Sequence, residues 1–124
     1  MSALRKALRA AASPLAVLPQ ANGWQRQYVF AANSIVFAGH FPEHPVLPGV
    51  TQILMAQMTL EDALDRPLDL SAITQAKFTM PLEPGALIEL RVQQGRRLDL
   101  WDCSMYCAGN MASRFQLETK PESG

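Results

Sequence analysis

Val50-Thr51-Gln52-Ile53-Leu54-Met55-Ala56-Gln57-Met58-Thr59-Leu60-Glu61-Asp62-Ala63-Leu64 is the stretch on which the fold turns. Val50, Ile53, Leu54, Met55, Ala56, Met58, Leu60, Ala63 and Leu64 make it apolar nearly all round in its first three turns. A helix with so little polar face has to be covered by other elements. Asp65-Arg66-Pro67 ends it, since proline cannot continue a helix and restricts the residue before it.

Downstream of this helix the pattern changes period. Leu70 to Met80 reads as extended and stops at Pro81. Ile88, Leu90 and Val92 alternate with Glu89, Arg91 and Gln93, the signature of a half-buried strand. Gln94-Gly95-Arg96-Arg97 reads as a turn, and Trp101, Cys103, Met105 and Cys107 line one face of the next strand. Gly109-Asn110 turns the chain again into a last strand, where Phe115 and Leu117 alternate with Arg114, Gln116 and Glu118. Upstream, Asn22-Gly23 precedes a strand from Trp24 to Ala31, and Ser34 to Phe37 reads as a second short extended piece. One covered helix followed by successive hairpins implies an α+β fold, an antiparallel sheet curled around that helix.

Between those halves lies Phe37-Ala38-Gly39-His40-Phe41-Pro42-Glu43-His44-Pro45-Val46-Leu47-Pro48-Gly49-Val50. Pro42, Pro45 and Pro48 fix its backbone. Pro48-Gly49 opens a helix whose first amide hydrogens have no intrahelical partner. An imidazole held beside such a helix start is a base next to an oxyanion site.

The segment from Gly39 to Gly49 resembles the active-site segment of the 3-hydroxyacyl-(acyl-carrier-protein) dehydratases of fatty-acid synthesis, which reads Gly-His-Phe-Pro, two variable residues, Pro-Val-x-Pro-Gly. Ala76-Lys77-Phe78-Thr79-Met80-Pro81-Leu82-Glu83-Pro84-Gly85 looks like the same family's strand and turn before its hairpins. The resemblance implies a hot-dog fold over residues 24–119, and a dimer with one continuous sheet and two equivalent sites at the interface. It also implies the chemistry. His40 corresponds to the base that removes the proton next to the thioester carbonyl. The backbone N–H of Gly49, with Val50 behind it, corresponds to the donor that holds the carbonyl oxygen, helped by the helix dipole. The family's acid, an Asp or Glu fourteen residues after that His, falls on Leu54. The helix carries no carboxylate before Glu61, roughly 10 Å further along its axis.

Gln57, His44 and Glu43 are the residues that could assist in place of the acid. The plainer reading is that Gln57 is a buried amide bonded to backbone, and that Glu43 and His44 are exposed turn residues. Met55, Met58, Phe78, Met80, Trp101 and Met105 could line an acyl tunnel, ordinary core being the plainer reading of each. Arg96 and Arg97, with Arg5, Lys6 and Arg9, could meet an acidic acyl-carrier protein, or be solvated surface charges. Three readings stay open. The first is a dehydratase of 3-hydroxyacyl chains on acyl-carrier protein, in fatty-acid, polyketide or aryl-polyene synthesis. The second is a thioesterase on the same fold. The third is a half-catalytic or non-catalytic subunit pairing with a complete homologue, since in the family the His and the acid of one site come from different subunits. None of these needs a cofactor.

The 124 residues make one small domain, with an N-terminal arm at 1–20 and a polar tail at 120–124. Eleven Lys and Arg balance eleven Asp and Glu, which argues against a nucleic-acid surface. No apolar run reaches membrane-spanning length. Residues 1–18 mix Arg5, Lys6 and Arg9 with Ala and Leu, and read as an amphipathic or disordered arm rather than a signal peptide. Cys103 and Cys107 lie roughly 13 Å apart along a strand, too far for a disulfide with each other. With no His nearby in sequence they do not suggest a metal site. Two unpaired thiols point to a reducing, cytoplasmic setting.

Overall fold

A computed structural model describes residues 2–19, 21–38 and 43–121. The apolar stretch is helix α2, Gly49–Leu64, starting one residue earlier than expected. Pro48 precedes it in an extended conformation, and the amides of Thr51 and Gln52 donate to the Pro48 carbonyl at 3.1 Å each. At the other end Asp65 adopts the left-handed conformation and its N–H donates to the Glu61 carbonyl. Met55, Ala56, Met58 and Leu60 are buried. The buried hydroxyl of Thr59 is satisfied by the Met55 carbonyl at 2.8 Å and lies 3.3 Å from the Tyr28 hydroxyl.

The strands are β1 (Ala16–Leu18), β2 (Gly23–Tyr28), β3 (Leu70–Phe78), β4 (Ile88–Gln94), β5 (Leu100–Cys107) and β6 (Asn110–Thr119). They form one sheet in the order β1-β2-β4-β5-β6-β3, antiparallel throughout. The alternation read from the sequence is the burial pattern observed. Ile88, Leu90, Val92, Trp101, Cys103, Met105, Phe115 and Leu117 are buried and pack with the α2 residues in one core. This is the hot-dog arrangement, a sheet wrapped around one central helix. Among the described residues no helix is long and apolar enough to cross a membrane.

Two local expectations change, and the arm takes the amphipathic of its two alternatives. The turn between β5 and β6 is Ala108-Gly109 rather than Gly109-Asn110, because Asn110 already pairs with Cys107. A two-residue hairpin loop of this kind needs positive φ at both central positions; Gly109 adopts φ 80° and Ala108 φ 51°. Ile35–Phe37 is a 3-10 turn, not an extended piece, because the Ser34 hydroxyl accepts the Val36 amide and starts a turn there. The arm contains a helix, α1 (Ala3–Ala11), capped by the Ser2 hydroxyl on the Arg5 amide, and Leu8 is fully buried in the core.

Asp62 ties α1, α2 and β2 together, 2.7 Å from Arg26 and 3.4 Å from Arg9. Burial alone would raise its pKa, but the hydrogen bond from Arg26 and the charges of Arg9 and Arg26 outweigh it and hold the carboxyl below its ordinary 3.8. A carboxyl depressed in the folded state adds stability above its unfolded pKa and loses it as pH falls through the folded value. Asp62→Asn should therefore lower stability at neutral pH by about 1–2 kcal/mol, mostly through the Arg26 bond. Denaturant midpoints should show the two proteins converging as pH falls below 3.8.

Candidate functional site

The start of α2 opens onto a groove of about 360 Å³, lined by Val46, Leu47, Gly49, Gln52, Phe78, Thr79, Met80 and Pro81. One wall is the proline-held loop and the other is the end of β3. Helix geometry leaves the first amides of α2 without intrahelical acceptors. Among the described residues, neither the Gly49 nor the Val50 N–H donates to a backbone carbonyl. The tip of the Phe78 ring lies against Gly49: a Cβ at that position would sit 3.0 Å from Cζ and 3.2 Å from both Cε atoms. Glycine is thus the residue that lets the ring and the helix start share this space. Phe78 stacks on the buried Phe115, with ring centroids 6.2 Å apart, yet remains 45% exposed. A groove with an apolar floor and, at one end, helix amides that donate to no described backbone carbonyl can hold a polarised carbonyl there and an acyl chain along it.

The residues singled out in the sequence are distributed as follows. His40 lies outside the described residues. Gly49, Phe78 and Met80 meet at the groove. Val50 is 77% exposed just outside it. Leu54, one turn further on the same helix face, is half-buried against the edge of the core. Met55 and Met58 are buried in the core, as are Trp101 and Met105, and none of the four lines the groove. Gln57 donates to the Leu68 carbonyl at 2.9 Å, the backbone-bonding role that was its plainer reading. Glu43 and His44 are exposed. Glu61, the first carboxylate on the helix, accepts the Leu68 amide at 2.9 Å and lies 3.6 Å from Arg5. Its bonds hold the helix end, and it does not line the groove.

Of the basic residues, Arg5, Arg9 and Arg97 are in ion pairs, with Glu61, with Asp62, and with Asp99 and Glu118 respectively. Cys103 is buried, and that burial, and secondarily the charge of Asp102, pushes its thiol far above its ordinary range, which disfavours the thiolate. Among the described residues no group of three His, Cys, Asp or Glu side chains could hold a metal ion. A second cavity of about 330 Å³ lies on the outer face of the sheet, around Asp102, Ser104, Tyr106 and Arg114. It adjoins no free helix amide, and the groove at Gly49 is the better-founded site.

Sequence reading overlooked Gln52. It is buried at 4% exposure and lines the groove. Its side chain donates to the Leu47 carbonyl at 3.1 Å and accepts from the Ser113 hydroxyl at 2.6 Å. The available signal was an amide in an apolar helix, and Gln57 carried the same signal.

Known proteins bear directly on this geometry. The 3-hydroxyacyl-(acyl-carrier-protein) dehydratase FabZ of Syntrophotalea carbinolica is 29% identical over 97 residues, covering 69% of this chain and 66% of that protein. The FabZ of Nitratiruptor sp. is 33% identical over 99 residues, 67% of each. The chain spans about half to two thirds of the length of the curated relatives it matches. Among solved structures, the dehydratase heterocomplex ApeI:P from Xenorhabdus doucetiae superposes with a TM-score of 0.75 at 26% identity, over 85% of this chain and 93% of that one. The family described as ApeI-like, ApeI dehydratase, matches residues 18–114. That match takes in the proline-held loop, α2, the groove and β3 to β5, and the chain belongs to the ApeI-like dehydratase family.

Proposed function

We propose that this chain dehydrates 3-hydroxyacyl thioesters carried on acyl-carrier protein, as one half of a composite site. The observation that carries the reading is the open start of α2 at the head of an acyl-sized groove, in a chain of a dehydratase family. The thioester oxygen sits at the Gly49 amide, where the N–H and the helix dipole stabilise the enolate as it forms. His40 takes the proton from the carbon next to the carbonyl. The electron pair left there forms the new double bond as the hydroxyl departs. That hydroxyl needs a proton to leave as water, and Leu54 cannot supply it.

A partner can. β3 forms an outer edge of the sheet, with Ile73 and Phe78 exposed on it. A homologue adding its own strand there would continue the sheet and bring a helix carboxylate towards this groove. The likeness to a dehydratase heterocomplex supports a different partner over a second copy of this chain. The test is enoyl-thioester formation from a 3-hydroxyacyl-carrier protein by the chain alone, and mixed with a homologue bearing Asp or Glu at the position of Leu54. Turnover is expected to be slow alone and substantial in the mixture. An ordinary enzymatic rate from the chain alone would overturn the composite site; no product from either would overturn the dehydratase reading.

A further inference from the structure

We propose that Gln52 is a positioning residue that sets the width of the groove and the aim of the Gly49 amide, an inference that rests on the function proposed for this site. A backbone carbonyl only accepts hydrogen bonds. The nitrogen of the Gln52 amide must therefore face Leu47, and its oxygen then accepts from Ser113. Each bond reaches a different wall.

Leu47 belongs to the loop wall. It is buried, and its own N–H donates to the Leu82 carbonyl at 2.8 Å. Gln52 holds the other side of the same residue, so Leu47 is tied at both polar groups. Only Pro48, with its fixed φ, separates it from Gly49. Ser113 belongs to the sheet wall. It is 1% exposed and is the register partner of Phe78, whose ring covers Gly49. The neighbouring Ala112 carbonyl accepts the amides of both Thr79 and Met80, at 2.9 and 3.1 Å, which seats the rest of that wall. One buried carboxamide thus spans the groove from loop to sheet at the level of the oxyanion donor. A leucine could fill its volume, but would leave the Leu47 carbonyl and the Ser113 hydroxyl without partners in a buried place.

The test compares wild type, Gln52→Met, Gln52→Glu and Ser113→Ala by two readouts. The first is hydrogen exchange at the Leu47 amide, referred to the amides of β4 in the same protein, which needs no turnover. Gln52→Met should speed it by about 10–100-fold, as the loss of a buried hydrogen bond implies, and Ser113→Ala by less. Gln52→Glu, while protonated, can still donate to Leu47, so its excess exchange should appear only as pH rises. The second readout is steady-state turnover in the active combination. Misplacing the donor should lower kcat by about 10–100-fold in Gln52→Met with KM little changed. Faster exchange with unchanged kcat would reduce Gln52 to a structural role and overturn the proposal. Unchanged relative exchange in both Gln52→Met and Ser113→Ala would overturn it as well. If Gln52→Met does not fold, Ser113→Ala and Gln52→Glu decide. If wild type turns over nothing, the functional reading fails while the exchange readout still decides the clamp.

Discussion

Leu54→Glu is expected to raise the dehydration rate of the chain assayed alone by about 10²–10⁴-fold, the usual worth of a positioned general acid. The reason is the leaving group. On the proposed mechanism, with Leu54 in place, hydroxide departs unassisted, whatever His40 and Gly49 do. The substitution is structurally cheap. Leu54 is half-buried, and Val50, one turn earlier on that face, is 77% exposed, so a glutamate can reach water in the isolated chain. In the assay of the chain alone, a second copy of the chain covers this face, so the carboxyl loses that water and its pKa rises, which suits an acid that must be protonated at neutral pH. The gain should vanish when His40→Ala is added, since a proton donor without the base leaves the first step unmade. Rates for the four combinations on one 3-hydroxyacyl-carrier protein decide the matter. A fast wild type with no gain from Leu54→Glu would mean that the acid is another group.

Gly23→Ala is expected to give the largest loss of stability among single-methyl additions, on the order of 3 kcal/mol. Gly23 pairs with Leu18 of β1 on one side and Gln93 of β4 on the other. A Cβ there would sit 2.2 Å from the Val92 carbonyl oxygen and 2.7 Å from the Gln93 Cα. These are backbone atoms of a central strand, with no rotamer to change. The start of β2 would have to lift away, straining the bond from the Gln94 amide to the Asn22 carbonyl at 2.8 Å. For a domain of this size the melting temperature should fall by about 10–15 °C. Gly109→Ala, which meets nothing within 4 Å and suffers only its positive φ, should cost nearer 1–2 kcal/mol. Equal losses from the two would show that β2 yields easily and that the close approach does not matter.

The parts of this protein legible from the chain are those in which one element reports on itself. The all-round apolar pattern from Val50 to Leu64 requires a covered helix, and α2 is that helix. Alternation at Ile88, Leu90 and Val92, and again from Trp101 to Cys107, requires a sheet with one inner face, as found. That Leu54 stands where the resembled family carries its acid is also read from the chain, through the resemblance of the segment from Gly39 to Gly49. Local chemistry misled where two signals competed. Ile35, Val36 and Phe37 favour strand by type, but the Ser34 hydroxyl takes the Val36 amide and makes a turn. Residues 1–18 hold one helix because Leu8 finds the core, which no window of the arm could reveal.

The rest was decided by the tertiary structure. Gln52 and Gln57 are the same residue type on the same apolar helix, and sequence gave no reason to rank the first above the second. Gln57 faces the chain beyond the helix and bonds Leu68. Gln52 faces the loop before it and a strand sixty-one residues later, at Ser113. What a buried amide does is set by the partners that reach it, and those partners come together only when the sheet closes around the helix.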